Sequence, residues 1–155
     1  QIQKGRDTLT AKDYLLQLPA LRNRIAAQCS LVDDYIDEAC RATSRIRAVA
    51  IGGTGWHSRV ETYIDKKIDA EREELEPMRR QLWQMEQDVL RVLMEMPAGR
   101  WRQVIELRYL RGLGWGQVAE EIGRSLRTTY EIHGHALIIF TQTHNRLGLD
   151  SMLLT

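Results

Sequence analysis

Apolar positions in the first hundred residues recur in steps of three and four. Tyr14, Leu18, Leu21, Ile25, Val32, Tyr35 and Ala39 form one run, interrupted at Gln28, and the spacing predicts a helix with a single apolar stripe. Thr10 followed by Asp13 resembles the capping box that opens such a helix, with Asp replacing the usual Glu. Pro19 lies inside the run and predicts a kink or a late helix start, because its ring removes a backbone donor. The pattern fades near Thr43, and Ile-Gly-Gly-Thr-Gly at 51–55 reads as the break. Ser58 with Glu61 predicts the capping box of a second helix. Its stripe is Ile64, Ile68, Leu75, Met78, Leu82, Met85, Val89, Val92 and Met96, broken only at Glu71 and stopped by Pro97 and Gly99. Heptad spacing sustained this long predicts a coiled-coil hairpin within the chain or a coiled coil between chains.

From residue 101 to 137 the period shortens into three helices. Residues 101–111 supply Val104, Ile105, Leu107, Tyr109 and Leu110 as one wall of a small core. A short helix starts at Trp115, with Ala119 where two helices press closest and Gly123 at a turn that needs a left-handed backbone. Ser125 is placed to cap the following helix through its hydroxyl. Val118, Ile122 and Ile132 make the seam between the pair. This is the spacing of a helix-turn-helix, in which the second helix enters the DNA major groove. Its outward side chains are Leu126, Arg127, Tyr130 and Glu131. The full set of candidate DNA contacts adds Arg124, Ser125, Thr128 and His135.

Glu-Leu-Arg-Tyr-Leu-Arg-Gly-Leu-Gly-Trp-Gly-Gln-Val-Ala-Glu-Glu-Ile-Gly (106–123), followed by Ser-Leu-Arg-Thr-Thr-Tyr-Glu-Ile-His-Gly-His-Ala-Leu (125–137), resembles region four of bacterial sigma factors. More closely it is similar to the ArpU-like and RinA-like regulators of Gram-positive phages and prophages. Leu-Thr-Ala-Lys-Asp-Tyr-Leu-Leu-Gln-Leu (9–18) and the glycine break before a long acidic helix look like the same family. The chain departs from the pattern at Arg124 and Thr129, both usually apolar there. The resemblance implies a sequence-specific regulator of phage late genes, working with bacterial RNA polymerase from an upstream site or in place of region four. No segment in the first hundred residues resembles the sigma region that opens the −10 element.

Composition changes this picture little. The chain has 155 residues, 28% of them charged, one Phe and three Pro, which fits one or two small helical domains better than a sheet or a large catalytic core. Cys29 and Cys40 on one helix stand roughly 16 Å apart along its axis, too far to bridge, and two free thiols suit a reducing cytoplasm. No apolar run reaches a membrane span and no signal-peptide pattern opens the chain. Net charge is +1 overall, but 98–155 carries +2, 41–60 carries +4 from Arg41, Arg45, Arg47 and Arg59, and 61–76 carries −4. Basic segments of this kind supply salt-dependent phosphate contacts. The arginine cluster is either a solvated loop or a second phosphate contact.

Candidate chemistry is sparse. His133 and His135 are two apart, pointing about 200° from each other on a helix, so they do not share a metal. His57 and His144 have no ligand partners at metal spacing, and Gly-Gly-Thr-Gly at 52–55 reads as a linker rather than a phosphate loop. The expectation is an all-α protein, not an enzyme, with no cofactor and no metal. Residues 8–97 are expected to form a helical coiled-coil oligomerisation region and 98–147 a helix-turn-helix DNA-binding domain. Expected partners are double-stranded DNA, a second copy in a homodimer or larger homo-oligomer, and RNA polymerase; no membrane is expected. Two other readings stay open: a phage small terminase subunit recognising packaging DNA, and a region-four mimic that holds polymerase without reading DNA.

Overall fold

The computed structural model describes residues 10–49 and 54–149, with side chains described for 10–45 and 62–149. The described residues are helical, without a strand. Helix α1 spans Ala11–Val49, α2 Thr54–Glu95, α3 Arg100–Ile105, α4 Trp115–Glu121 and α5 Leu126–Leu147. Helix α3 continues through a wider turn over Glu106–Leu110, in which the Arg111 N–H reaches back five residues to the Glu106 carbonyl at 3.0 Å.

The start of α1 is the one its sequence predicts. The Asp13 N–H donates to Thr10 Oγ1 at 3.2 Å, satisfying a first-turn donor, while the Thr10 hydroxyl donates to the Asp13 carboxylate at 2.6 Å. Pro19 does not delay the helix, which already runs from Ala11. Nor does α1 fade at Thr43; it continues to Val49, because no residue before the glycines opposes it strongly enough. Of the break predicted at 51–55, residues 51–53 lie outside the described residues, and Thr54 and Gly55 already belong to α2. Ser58 is therefore inside α2, not at its N-cap.

Packing divides the chain within both long helices. One compact unit is Leu21–Gln81; the other combines the start of α1, up to Ala20, with everything from Leu82 onward. The segment 98–147 lies wholly in the second of these, which also takes one end of each long helix.

In Leu21–Gln81 the stretches of α1 and α2 run in opposite directions, since Gln28 meets Glu71 while Tyr35 meets Lys67, whose Nζ sits 4.1 Å from the ring centroid. Val32 and Leu75 are buried. The two positions that interrupt the apolar stripes, Gln28 and Glu71, are hydrogen-bonded to each other. One polar layer in an apolar seam sets the register, because a slip would leave both groups facing hydrocarbon. Glu71→Leu alone is expected to cost about 1 kcal/mol, as Gln28 loses a partly buried acceptor. Gln28→Leu combined with Glu71→Leu should recover or exceed wild-type stability, since an apolar pair replaces a partly buried polar one in an apolar seam. Urea titration of the three variants checks the order.

The other unit buries Tyr14, Leu15 and Leu18 from α1, Met85, Val89, Val92 and Leu93 from α2, and Met96 just after it. Val104, Ile105, Ala136 and Phe140 complete this core, and the Tyr14 and Phe140 rings lie about 6 Å from that of His144. This end of the heptad stripe, left open above between a hairpin within the chain and a coiled coil between chains, is buried within the chain from Met85 to Met96. Charge at Met85 would bury an unpaired ion and unfold the unit, rather than separate a dimer.

Candidate nucleic-acid interface

Helix α4, the turn after it and the start of α5 are defined by local hydrogen bonds. The Gly114 N–H donates to Gln117 Oε1 at 3.0 Å, closing the first turn of α4. At its other end the Arg124 N–H bonds the Ala119 carbonyl at 2.9 Å and the Gly123 N–H bonds the Glu120 carbonyl at 3.0 Å. This pairing ends a helix on a left-handed residue, and Gly123 has φ 63°. The Thr128 N–H then donates to Ser125 Oγ at 3.2 Å, capping α5. Behind the turn Val104, Leu107, Val118 and Ile122 form a buried cluster, with Leu113, Trp115 and Ile132 against it.

The two departures from the family pattern are accommodated differently. Arg124 is exposed, so no apolar side chain is needed there. Thr129 is fully buried, its hydroxyl donating to the Ser125 carbonyl at 2.9 Å, so the methyl packs and the polar atom is satisfied.

A second set of side chains holds α5 against α3 and α4. The Tyr109 hydroxyl meets His133 Nε2 at 2.9 Å, and the Trp115 ring lies 4.7 Å from His133 and 4.9 Å from Tyr130. The Arg108 guanidinium sits 4.9 Å from the Trp115 ring and donates to the Leu113 carbonyl at 2.8 Å. Burial pushes the Tyr109 hydroxyl up to about 12. Burial, then the nearby Lys12 and Arg108 charges, push His133 down to about 4. Both groups are neutral near pH 7, so they share one neutral hydrogen bond whose direction follows the imidazole tautomer. Sequence reading treated His133 only as a failed metal ligand; the signal for its real place is a histidine on the apolar side of the second helix.

The candidate contacts separate into an open set and a committed set. Arg124, Leu126, Arg127, Glu131 and His135 are exposed. The Arg127 side chain is 90% exposed and its Nε bonds Glu131 at 3.3 Å. His135 Nδ1 lies 2.9 Å from the Glu131 carbonyl on the exposed side, opposite the buried His133. Ser125 and Thr128 are bonded to each other as the cap. Tyr130 is half-exposed, its ring against Trp115. The outer face continues through Gly134, where a Cβ would meet nothing within 4 Å. Gly134→Ala is therefore expected to stabilise α5 by about 0.5–1 kcal/mol, by removing the entropy cost of a mid-helix glycine. A rise in melting temperature checks it.

Of the central arginines, Arg41 and Arg45 are exposed on α1, and Arg47 and Arg59 lie outside the described side chains. Arg41 and Arg45 line one depression with Asp34, Asp37 and Glu38. Three carboxylates there offset the two guanidiniums, so this stretch of α1 is not a net positive surface. Cys29 and Cys40 are free thiols on α1. No described helix is long and apolar enough to cross a membrane. No protein-family model, no curated protein and no solved structure matches the chain.

Proposed function

We propose that the chain is a sequence-specific double-stranded DNA-binding protein regulating transcription, and that α4, the Gly123 turn and α5 act as a helix-turn-helix. The observation that carries this reading is the start of α5. A capped helix end presents Arg124 and Arg127 outward, while Thr129, Ile132 and His133 anchor the opposite side. A helix with an exposed basic residue in its first turn is what the major groove admits, base edges being reached by its first two turns. Phosphates would take Arg124 and the N–H groups of the helix start. The resemblance to phage late-gene regulators supplies the biological setting, in a bacterial cytoplasm with RNA polymerase nearby. The role needs no catalytic group, cofactor or metal.

Selection of bound duplexes from a random pool, followed by sequencing, tests the reading. Enrichment of one motif of a few base pairs is the expected result; a flat pool rejects it. Leu126, Tyr130 and Ile138, exposed along the same helix, favour one second reading, in which this face binds polymerase and reads no DNA. A flat pool together with retained polymerase binding would establish that alternative.

A further inference from the structure

Helix α2 buries one face in its unit and leaves a second apolar stripe outside. Trp83 is 59% exposed, Leu90 41% and Met94 71%. With the exposed Gln87 they stand at successive steps of four, three and four, the spacing of the seam of a two-stranded coiled coil. The stripe is distinct from the buried one of Met85, Val89, Val92 and Met96. Soluble chains seldom leave a Trp, a Leu and a Met aligned in water unless something covers them.

We propose that this stripe, Trp83–Gln87–Leu90–Met94, is the contact through which two copies of the chain associate, α2 beside α2 and parallel in register. Three features favour a second copy over an unrelated helix. Each position would meet its own twin, and the Gln87 amide, carrying both donors and an acceptor, is complementary to itself. The charges beside the stripe fit the parallel arrangement. Glu86 and Arg91 are five residues apart on opposite flanks, the offset at which flanking charges of parallel helices meet, so Glu86 of each copy faces Arg91 of the other. An antiparallel pair would bring Glu86 towards Glu86 and Arg91 towards Arg91. Arg80 precedes the stripe and Pro97 follows it, limiting the contact to about 17 Å of helix. That is small for a protein interface, so the dimer should dissociate in the micromolar range. The proposal is independent of the DNA-binding reading, since none of these residues belongs to α4 or α5.

Sedimentation of the full chain across micromolar concentrations should show the mass rising from one chain to two. Leu90→Glu with Met94→Glu should hold it at one chain throughout, with an unchanged melting temperature at low concentration because both positions are exposed. Glu86→Arg should weaken association about tenfold, and adding Arg91→Glu should restore it. A wild-type chain that stays single at the highest concentration overturns the proposal. So does a Leu90→Glu, Met94→Glu variant that still dimerises, or a charge reversal that Arg91→Glu does not rescue.

Discussion

Acidification from pH 7 to pH 5 is expected to cost the wild-type protein about 2 kcal/mol of stability through His133 alone. The imidazole is 7% exposed, and burial with Lys12 and Arg108 nearby lowers it from 6.5 to about 4. Unfolded, it takes a proton as the pH passes 6.5; folded, it stays neutral until about 4. Between those values the unfolded state binds more protons, so stability falls as pH falls. The full loss, on the order of 3 kcal/mol, is reached below pH 4. Burial also lowers His144, which adds in the same direction. His133→Gln keeps an acceptor for the Tyr109 hydroxyl but cannot titrate, so its stability should depend less on pH by about that 2 kcal/mol. Urea titrations of both proteins at the two pH values measure this. Equal losses in variant and wild type would remove His133 as the cause.

The same histidine shows where sequence reading ended. Spacing alone placed Val118, Ile122 and Ile132 in one seam, Gly123 at a left-handed turn and Ser125 at a cap, because each of those roles is local and limited to a few residue types. Tyr109 and His133 are 24 residues apart, and nothing local says that a phenol and an imidazole will meet. The wide turn over Glu106–Leu110 is equally silent, since its residues are ordinary helix formers. Gln28 and Glu71 were visible only as two flaws in two stripes; their pairing needed the helices side by side. The heptad stripe of α2 was legible as apolar but not as to its partner, because a stripe has the same period whether it faces its own chain or another. The helix ends beside the glycine break fared worst, as at Ser58, where a capping motif lies four residues inside a helix that began at Thr54.

Arg127→Ala is expected to lower affinity for the best DNA site by about 1–3 kcal/mol, or about five- to 150-fold, and to relax preference at one base position. The side chain leaves the first turn of α5 and its Nε is tied to Glu131 at 3.3 Å. That exposed bond is weak, on the order of 0.3–0.5 kcal/mol, so it yields easily when the guanidinium fork pairs with O6 and N7 of guanine. The same fork also fits a phosphate, and the two roles differ in their signature. Loss of a base contact weakens the selected site while leaving scrambled DNA almost unchanged. Loss of a phosphate contact weakens every sequence alike and lowers the salt dependence by about one counterion. Arg124→Ala is the internal comparison, since Arg124 sits before the cap and should show the phosphate signature. If Arg127→Ala binds selected and scrambled duplexes as the wild type does, α5 does not present this residue to the groove.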